Sequence, residues 1–319
     1  MSGDLPVGYT WRRPTGEDAE AIFALVSARN TDVIGFADFT LDDTRDMLSE
    51  PGFDPSTDGW LVTDPDGALL GFGWVFGDCE IVDIDVIALD DAAAEWLLSN
   101  AVNRAAAIAA ELGHDQAQVN IGIYRADEAQ RARATALGFA PATTYHRMRI
   151  DHDGVPPEPA VPEGVIVRAG PGDEAFRREA HAVLNASFAD HFGFVPKSFD
   201  EWHERIEASA THDWSQLRVA YVDGSPSAML LGSDAFIADE DCGFVNNIGV
   251  LPNARGRGLA RLLLRQAFAE DARRGRGGTQ LNVDTNKLTP ALGLYSSVGM
   301  RAVLVIDVWR RNFSGKPTR

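Results

Sequence analysis

Asn247-Ile-Gly-Val-Leu-Pro-Asn-Ala-Arg-Gly-Arg-Gly-Leu-Ala-Arg261 is the stretch from which the chain's architecture is read. It closes a strand-forming run that begins at Gly243. Pro252 cannot continue a central strand, and glycines at 256 and 258 permit backbone turns closed to other residues. Leu259, Leu262, Leu263 and Ala267 then recur at helical spacing, so a helix is expected from Gly258 to about Arg274. A helix start presents unbonded N–H groups and the positive end of its dipole, and glycines let a ligand reach the backbone. Strand, glycine loop and helix together suit an anion such as phosphate. Arg255, Arg257, Arg261 and Arg265 surround the loop, with Arg273, Arg274 and Arg276 further along the helix. A P-loop would need Gly-Lys-Ser/Thr, which is missing, and a dinucleotide fingerprint would need a third glycine where Arg261 stands.

This basic cluster is out of character with the chain. Over 319 residues the formal charge is −18. Residues 1–156 hold 10 basic and 27 acidic side chains, and 157–319 hold 19 and 20, so nearly all the excess acid lies in one half. Sequence-independent nucleic-acid binding and attachment to an anionic membrane both need the opposite sign. With 45% apolar and 24% charged residues the composition is that of a globular protein, and the length suggests two domains. Two cysteines, Cys79 and Cys242, exclude a disulfide scaffold, and no Cys/His spacing matches a zinc site, so no metal is expected. The N-terminus lacks an apolar signal segment and no run is long enough for a membrane span, which makes the reducing cytoplasm the expected compartment.

The stretch 151–164, Asp-His-Asp-Gly-Val-Pro-Pro-Glu-Pro-Ala-Val-Pro-Glu-Gly, contains four prolines and reads as a linker. Short matches recur on either side of it. Gly8…Arg12 with Gly16-Glu-Asp18 parallels Gly164…Arg168 with Gly172-Asp-Glu174; Asp66-Gly67 parallels Asp223-Gly224; Leu137-Gly138-Phe139 parallels Val298-Gly299-Met300. Their common order points to a duplication. The second copy is followed through a strand at Val165–Arg168, an acid-capped helix at Asp173–Phe188 and a hairpin around Asp223-Gly224. Strands at Gly243–Val250, Thr279–Val283 and Ala302–Trp309 and a helix at Pro290–Val298 complete it. The expected fold class is α+β: two tandem domains, 1–150 and 165–319, each a mostly antiparallel mixed sheet flanked by helices.

The motifs themselves resemble the GNAT superfamily of N-acetyltransferases. Val250-Leu-Pro252 followed by Arg255-Gly-Arg-Gly258-Leu-Ala260 is similar to its V-x-P strand end and R/Q-x-x-G-x-G/A signature. Val283 to Met300, ending in Leu294-Tyr-Ser-Ser-Val-Gly-Met300, looks like its second signature. In tandem arrangement and length the chain resembles the mycothiol synthase branch. The resemblance implies acetyl-CoA as co-substrate, with its pyrophosphate on the amides of Arg257–Ala260 within the segment Arg255, Gly256, Arg257, Gly258, Leu259 and Ala260. It implies pairing of pantetheine with Ile248, Gly249 and Val250, one of whose N–H groups would face the thioester carbonyl. Tyr295 would be the general acid for the departing thiolate, and Asn286 lies near the family's motif asparagine. The implied activity is direct acetyl transfer to a primary amine of a small molecule, by a monomer or homodimer. A non-catalytic acyl-CoA-sensing protein and a protein acetyltransferase acting on Lys or N-terminal amines stay open as alternatives.

Two departures accompany this resemblance. In mycothiol synthase-like chains a carboxylate tends to stand four residues before the strand-end I/L-G-V, where this chain has Phe244; no base can be read directly. Asp190, His191 and Asn246 are the candidates for the acceptor side, with Glu240 and Asp241 at the start of the strand. In the first copy, an offset of 163 places Ala92–Leu97 against Arg255–Ala260 and Glu95 against Gly258, and an offset of 161 places Ala134 against Tyr295. The features for CoA chemistry are missing there together, so the first domain is expected to be a non-catalytic partner.

Overall fold

The computed structural model describes residues 4–77, 81–113, 116–189, 194–285 and 291–314. In chain order the elements up to the linker are β1 (Thr10–Arg12), α1 (Ala19–Ile34), α2 (Leu41–Leu48), α3 (Pro55–Asp58), β2 (Gly59–Thr63), β3 (Leu69–Phe76), β4 (Ile81–Ala88), α4 (Asp91–Glu111), β5 (Gln116–Tyr124), α5 (Glu128–Ala136) and β6 (Ala140–Asp151). After it come β7 (Val165–Ala169), α6 (Glu174–Phe188), α7 (Phe199–Ala208), β8 (His212–Val222), β9 (Ser225–Phe236), α8 (Ile237–Glu240), β10 (Cys242–Val250), α9 (Leu259–Arg273), β11 (Gly278–Asp284), α10 (Ala291–Ser297) and β12 (Arg301–Ser314). The mixed α/β class and the mostly antiparallel sheets agree with the sequence expectation.

The chain forms two compact units, and their limits do not follow the linker. Unit 1 is Met1–Thr144 with Ile306–Arg319; unit 2 is Tyr145–Val305. Each sheet is closed by a strand from the other side of the linker. In unit 1, β5 pairs antiparallel with Ile306–Ser314 of β12. In unit 2, β11 pairs antiparallel with Tyr145–Asp151 of β6. The strand expected at Ala302–Trp309 extends to Ser314 because its second half is paired with β5.

Unit 2 positions the candidate site. Its strand order is β6-β11-β10-β9-β8-β7, with β10 and β11 parallel and the other pairs antiparallel. Asp223 and Gly224 join β8 to β9 with φ of 50° and 78°, the left-handed pair that a two-residue hairpin turn requires. One face packs Leu230, Val245, Leu281 and Val283 under Leu259, Leu263, Leu264 and Phe268 of α9. The opposite face packs Leu217, Val219, Met229 and Leu231 under α6 and α7. Asp173 caps α6 through the Phe176 amide at 2.9 Å, and the helix lays Phe176, Ala180, Val183 and Leu184 on the sheet.

Candidate active site

β9 holds β10 along its length, from Cys242↔Phe236 to Val250↔Ala228. On the other edge the parallel ladder to β11 ends at Val245↔Leu281. A register shift falls between Val245 and Asn247, and such a bulge increases local twist and re-aims the strand. β11 meanwhile continues to Asp284 against β6. Beyond Val245 the two strands part, so Ile248–Val250 keep a strand edge that no described strand takes up.

Gly249 is required on that strand. A Cβ there would lie 2.1 Å from Ser187 Oγ and 3.0 Å from Ser187 Cβ, so the end of α6 can approach only a glycine. Past the strand, Gly256 and Gly258 adopt φ of 80° and 79°, a conformation costly for residues with a Cβ. Gly258 is the N-cap of α9 and supplies no side-chain cap. The first amides of α9 are thereby left open at the loop.

A cavity of about 440 Å³ joins these parts. Its walls are Ser187 and Phe188 of α6, Ile248–Val250, the loop and first turn of α9, and Ala291, Leu294 and Tyr295 of α10. Every described residue expected to hold the ligand lines it except Arg257, which is exposed on the loop. Asn286, Asp190 and His191 lie outside the described residues. Asn246 does not line the cavity: it accepts from Ser233 Oγ at 2.9 Å and lies 2.7 Å from His212 Nε2, tied into the sheet at the bulge.

The arginines divide into two groups with different surroundings. Arg255 donates to the Val250 carbonyl at 3.3 Å and Arg261 to Ser297 Oγ at 3.0 Å. Among the described residues no carboxylate pairs with Arg255, Arg257, Arg261 or Arg265, and all four are exposed. Arg273, Arg274 and Arg276, expected to extend the same patch, belong elsewhere. They stand at or beyond the far end of a 15-residue helix, roughly 20 Å away at 1.5 Å per residue. Arg273 is paired with Glu158 and Glu270, Arg274 with Glu270 and Asp213. Arg276 is buried between Asp271, at 2.6 Å, and Asp234.

Tyr295 is 7% exposed and shares the core of α9 and the sheet. Burial pushes its phenol up to about 12, so the hydroxyl keeps its proton at any physiological pH. Glu240 is committed to ion pairs, with Arg149 at 2.8 Å and Arg147 at 3.8 Å, while Gln280 donates to it at 2.5 Å. Asp241 accepts from the Gly277 amide at 3.0 Å. Neither acid lines the cavity. Sequence reading missed the wall formed by Ser187 and Phe188; the one local signal was a glycine inside an apolar strand, which marks a close approach.

Unit 1 is built differently at the equivalent strand end. Two residues, Leu89 and Asp90, separate β4 from α4. Ala92–Leu97, matched to the glycine loop by constant offset, is helix, because Ala-Ala-Ala-Glu propagates a helix that glycines interrupt. Glu95 therefore sits within α4 rather than at a loop position. Asp90 caps α4, accepting from the Ala93 amide at 2.7 Å, so one of the first-turn donors that α9 leaves open is engaged here. Asp90, Asp91, Asp127 and Glu128 line the adjacent cavity. Its arginines are already paired, Arg29 with Asp127 at 2.5 Å and Arg133 with Asp91.

Among the described residues no group of three or more His, Cys, Asp or Glu is placed to hold a metal. No described helix is long and apolar enough to cross a membrane.

Residues 180–300 match the acetyltransferase (GNAT) family. The mycothiol acetyltransferase of Nocardia farcinica is 26% identical across 93% of this chain and 95% of its own length. A GCN5-related N-acetyltransferase from Sphaerobacter thermophilus superposes with a TM-score of 0.81 at 23% identity, covering 98% of both chains. A tandem GNAT protein from the clavulanic acid biosynthesis pathway gives a TM-score of 0.72 at 14% identity, covering 98% of this chain and 100% of its own. These two likenesses are of fold.

Proposed function

We propose that this chain, an acyltransferase of the GNAT family, acetylates a primary amine of a small molecule with acetyl-CoA, and that residues 165–319 carry the reaction. The observation that carries the proposal is four exposed arginines with no carboxylate partner among the described residues, around and just beyond an uncapped helix start, in a chain of net charge −18. An anion is the one partner that satisfies both the open amides and the guanidinium groups.

Acetyl-CoA supplies the acyl group as an activated thioester. The amides opening α9 and Arg255, Arg257 and Arg261 would hold its diphosphate. The open edge of Ile248–Val250 can hydrogen-bond an extended amide-bearing arm as an added strand would. An N–H of that edge serves as the donor to the carbonyl oxygen as charge develops there. Tyr295 holds a proton inside the same cavity and delivers it to the leaving sulfur. The amine attacks directly, with no enzyme nucleophile between. Asp90 and the acids around it suit unit 1 to a supporting, non-catalytic role, since they occupy or repel what a diphosphate would need.

The name of the Nocardia relative supports a small-molecule acceptor. Phe244, which packs on Phe236 with ring centroids 4.9 Å apart, offers no proton acceptor where mycothiol synthase-like chains tend to carry a carboxylate. The acceptor is therefore proposed by class only. Calorimetric titration with acetyl-CoA, followed by thiol release assayed across a panel of small amines and Lys-rich peptides, tests the proposal. Binding and turnover with a small amine are expected. Absence of any heat with acetyl-CoA would remove its basis, and turnover confined to peptides would replace the acceptor class.

A further inference from the structure

Arg265 is the arginine that the diphosphate leaves unexplained. It stands outside the cavity lining, one helical turn beyond Arg261 on the same side of α9, roughly 6 Å further along the axis. It is exposed and has no ion pair or hydrogen bond among the described residues. Like charges four residues apart repel each other, yet nothing on the helix offsets this pair. The acids of α9 are Glu270 and Asp271, and both hold other arginines: Glu270 holds Arg273 and Arg274, and Asp271 holds Arg276. Fixed geometry exists on the neighbouring side, where the Arg261 guanidinium is held by Ser297 Oγ.

A CoA ester carries two separate anionic centres, the diphosphate in its chain and a monoester phosphate on the 3′ carbon of the ribose. With the diphosphate on the loop amides, a second anion about one turn along the helix is what an otherwise uncompensated Arg261–Arg265 pair would neutralise. We propose that Arg265, together with Arg261, receives the ribose 3′-phosphate, so that this chain selects CoA esters over carriers that lack that group. The inference rests on the proposed use of acetyl-CoA, and it adds a specificity determinant at the adenosine end, away from Tyr295.

The test is calorimetric and needs no acceptor. Acetyl-CoA and acetyl-dephospho-CoA are titrated into the full chain and into Arg265→Gln and Arg265→Lys. The full chain is expected to bind acetyl-CoA about tenfold more tightly than the dephospho compound, the scale of one charge-assisted contact at an exposed site. Arg265→Gln should lose that preference by weakening acetyl-CoA alone, leaving the dephospho compound within about twofold, and Arg265→Lys should restore part of it. Equal affinity of the unaltered chain for both compounds would overturn the assignment while leaving acetyl-CoA use standing. So would a Gln variant that weakens both alike. Failure of both compounds to bind would overturn the proposed function as well.

Discussion

Gly249 and Ser187 touch across the candidate site so closely that a methyl group on the glycine would sit 2.1 Å from the serine oxygen. The contact fixes the distance between the end of α6 and the open edge of β10, two walls of the same cavity. Gly249→Ala is expected to push these walls apart, at about 1–3 kcal/mol for an overpacked contact, and to weaken acetyl-CoA binding by tenfold or more. Ser187→Gly in the same chain removes both clashing atoms and should recover most of the loss. Thermal melts and calorimetry on the single and double variants read the coupling; independent, additive effects would show that the contact does not shape the cavity.

Tyr295 offers a test confined to chemistry. Its phenol is pushed up to about 12 by burial alone, so no loss of rate from its ionisation is expected below about pH 11. Tyr295→Phe keeps the ring in the core and removes the proton. Turnover should fall by about 10²-fold or more, the range of a positioned general acid, with acetyl-CoA affinity and melting temperature nearly unchanged. A Phe variant with full activity would assign the proton to water.

The loop was legible because its signals are local. Gly256, Gly258 and the four arginines all fall between residues 255 and 265, and the apolar face of α9 is periodic. What stayed hidden depends on distant partners. Arg274 and Arg276 read as part of the anion site until Asp213 and Asp234, more than 40 residues earlier in the chain, are seen to hold them. The exchange of β6 and β12 was hidden for a related reason. Both strands follow equivalent helix ends, Leu137-Gly138-Phe139 and Val298-Gly299-Met300, so either is locally suited to either sheet. Long-range pairing alone decides. In the first copy a constant offset also missed that alanines turn a loop into two more turns of helix.

Asp18 gives unit 1 a defined acid sensitivity. Arg12 grips it with two hydrogen bonds, at 2.5 and 2.8 Å, and Thr15 donates twice more. The Arg12 contact holds its carboxyl down to about 2 from 3.8. A depressed carboxylate contributes stability that is fully present above its unfolded value and is lost as pH falls through the folded one. Unit 1 should therefore lose stability between about pH 4 and pH 2. The Arg12 side chain is 56% exposed, so solvent screening limits the contribution of the pair to about 1 kcal/mol. Arg12→Met should flatten this limb in an acid titration followed by circular dichroism; an unchanged limb would place the sensitivity elsewhere.

The strand exchange predicts which fragments fold. A fragment cut at the linker, 165–319, lacks Tyr145–Asp151, and so leaves β11 bare from Gly278 to Asp284. It also retains Ile306–Ser314 without β5, their partner. Glu240 would lose Arg147 and Arg149, both on β6, leaving a mostly buried carboxylate uncompensated, and a bare strand edge invites association. The fragment 145–305 keeps β6 against β11 and Arg147 and Arg149 beside Glu240, and it omits Ile306–Ser314 together with their partner β5. It should be soluble and melt cooperatively, whereas 165–319 should aggregate or melt well below it, read by size-exclusion chromatography and calorimetry. If 165–319 proved the more stable monomer, the closing strand of the unit 2 sheet would have to come from its own copy, and Arg147 and Arg149 would have no part in holding Glu240.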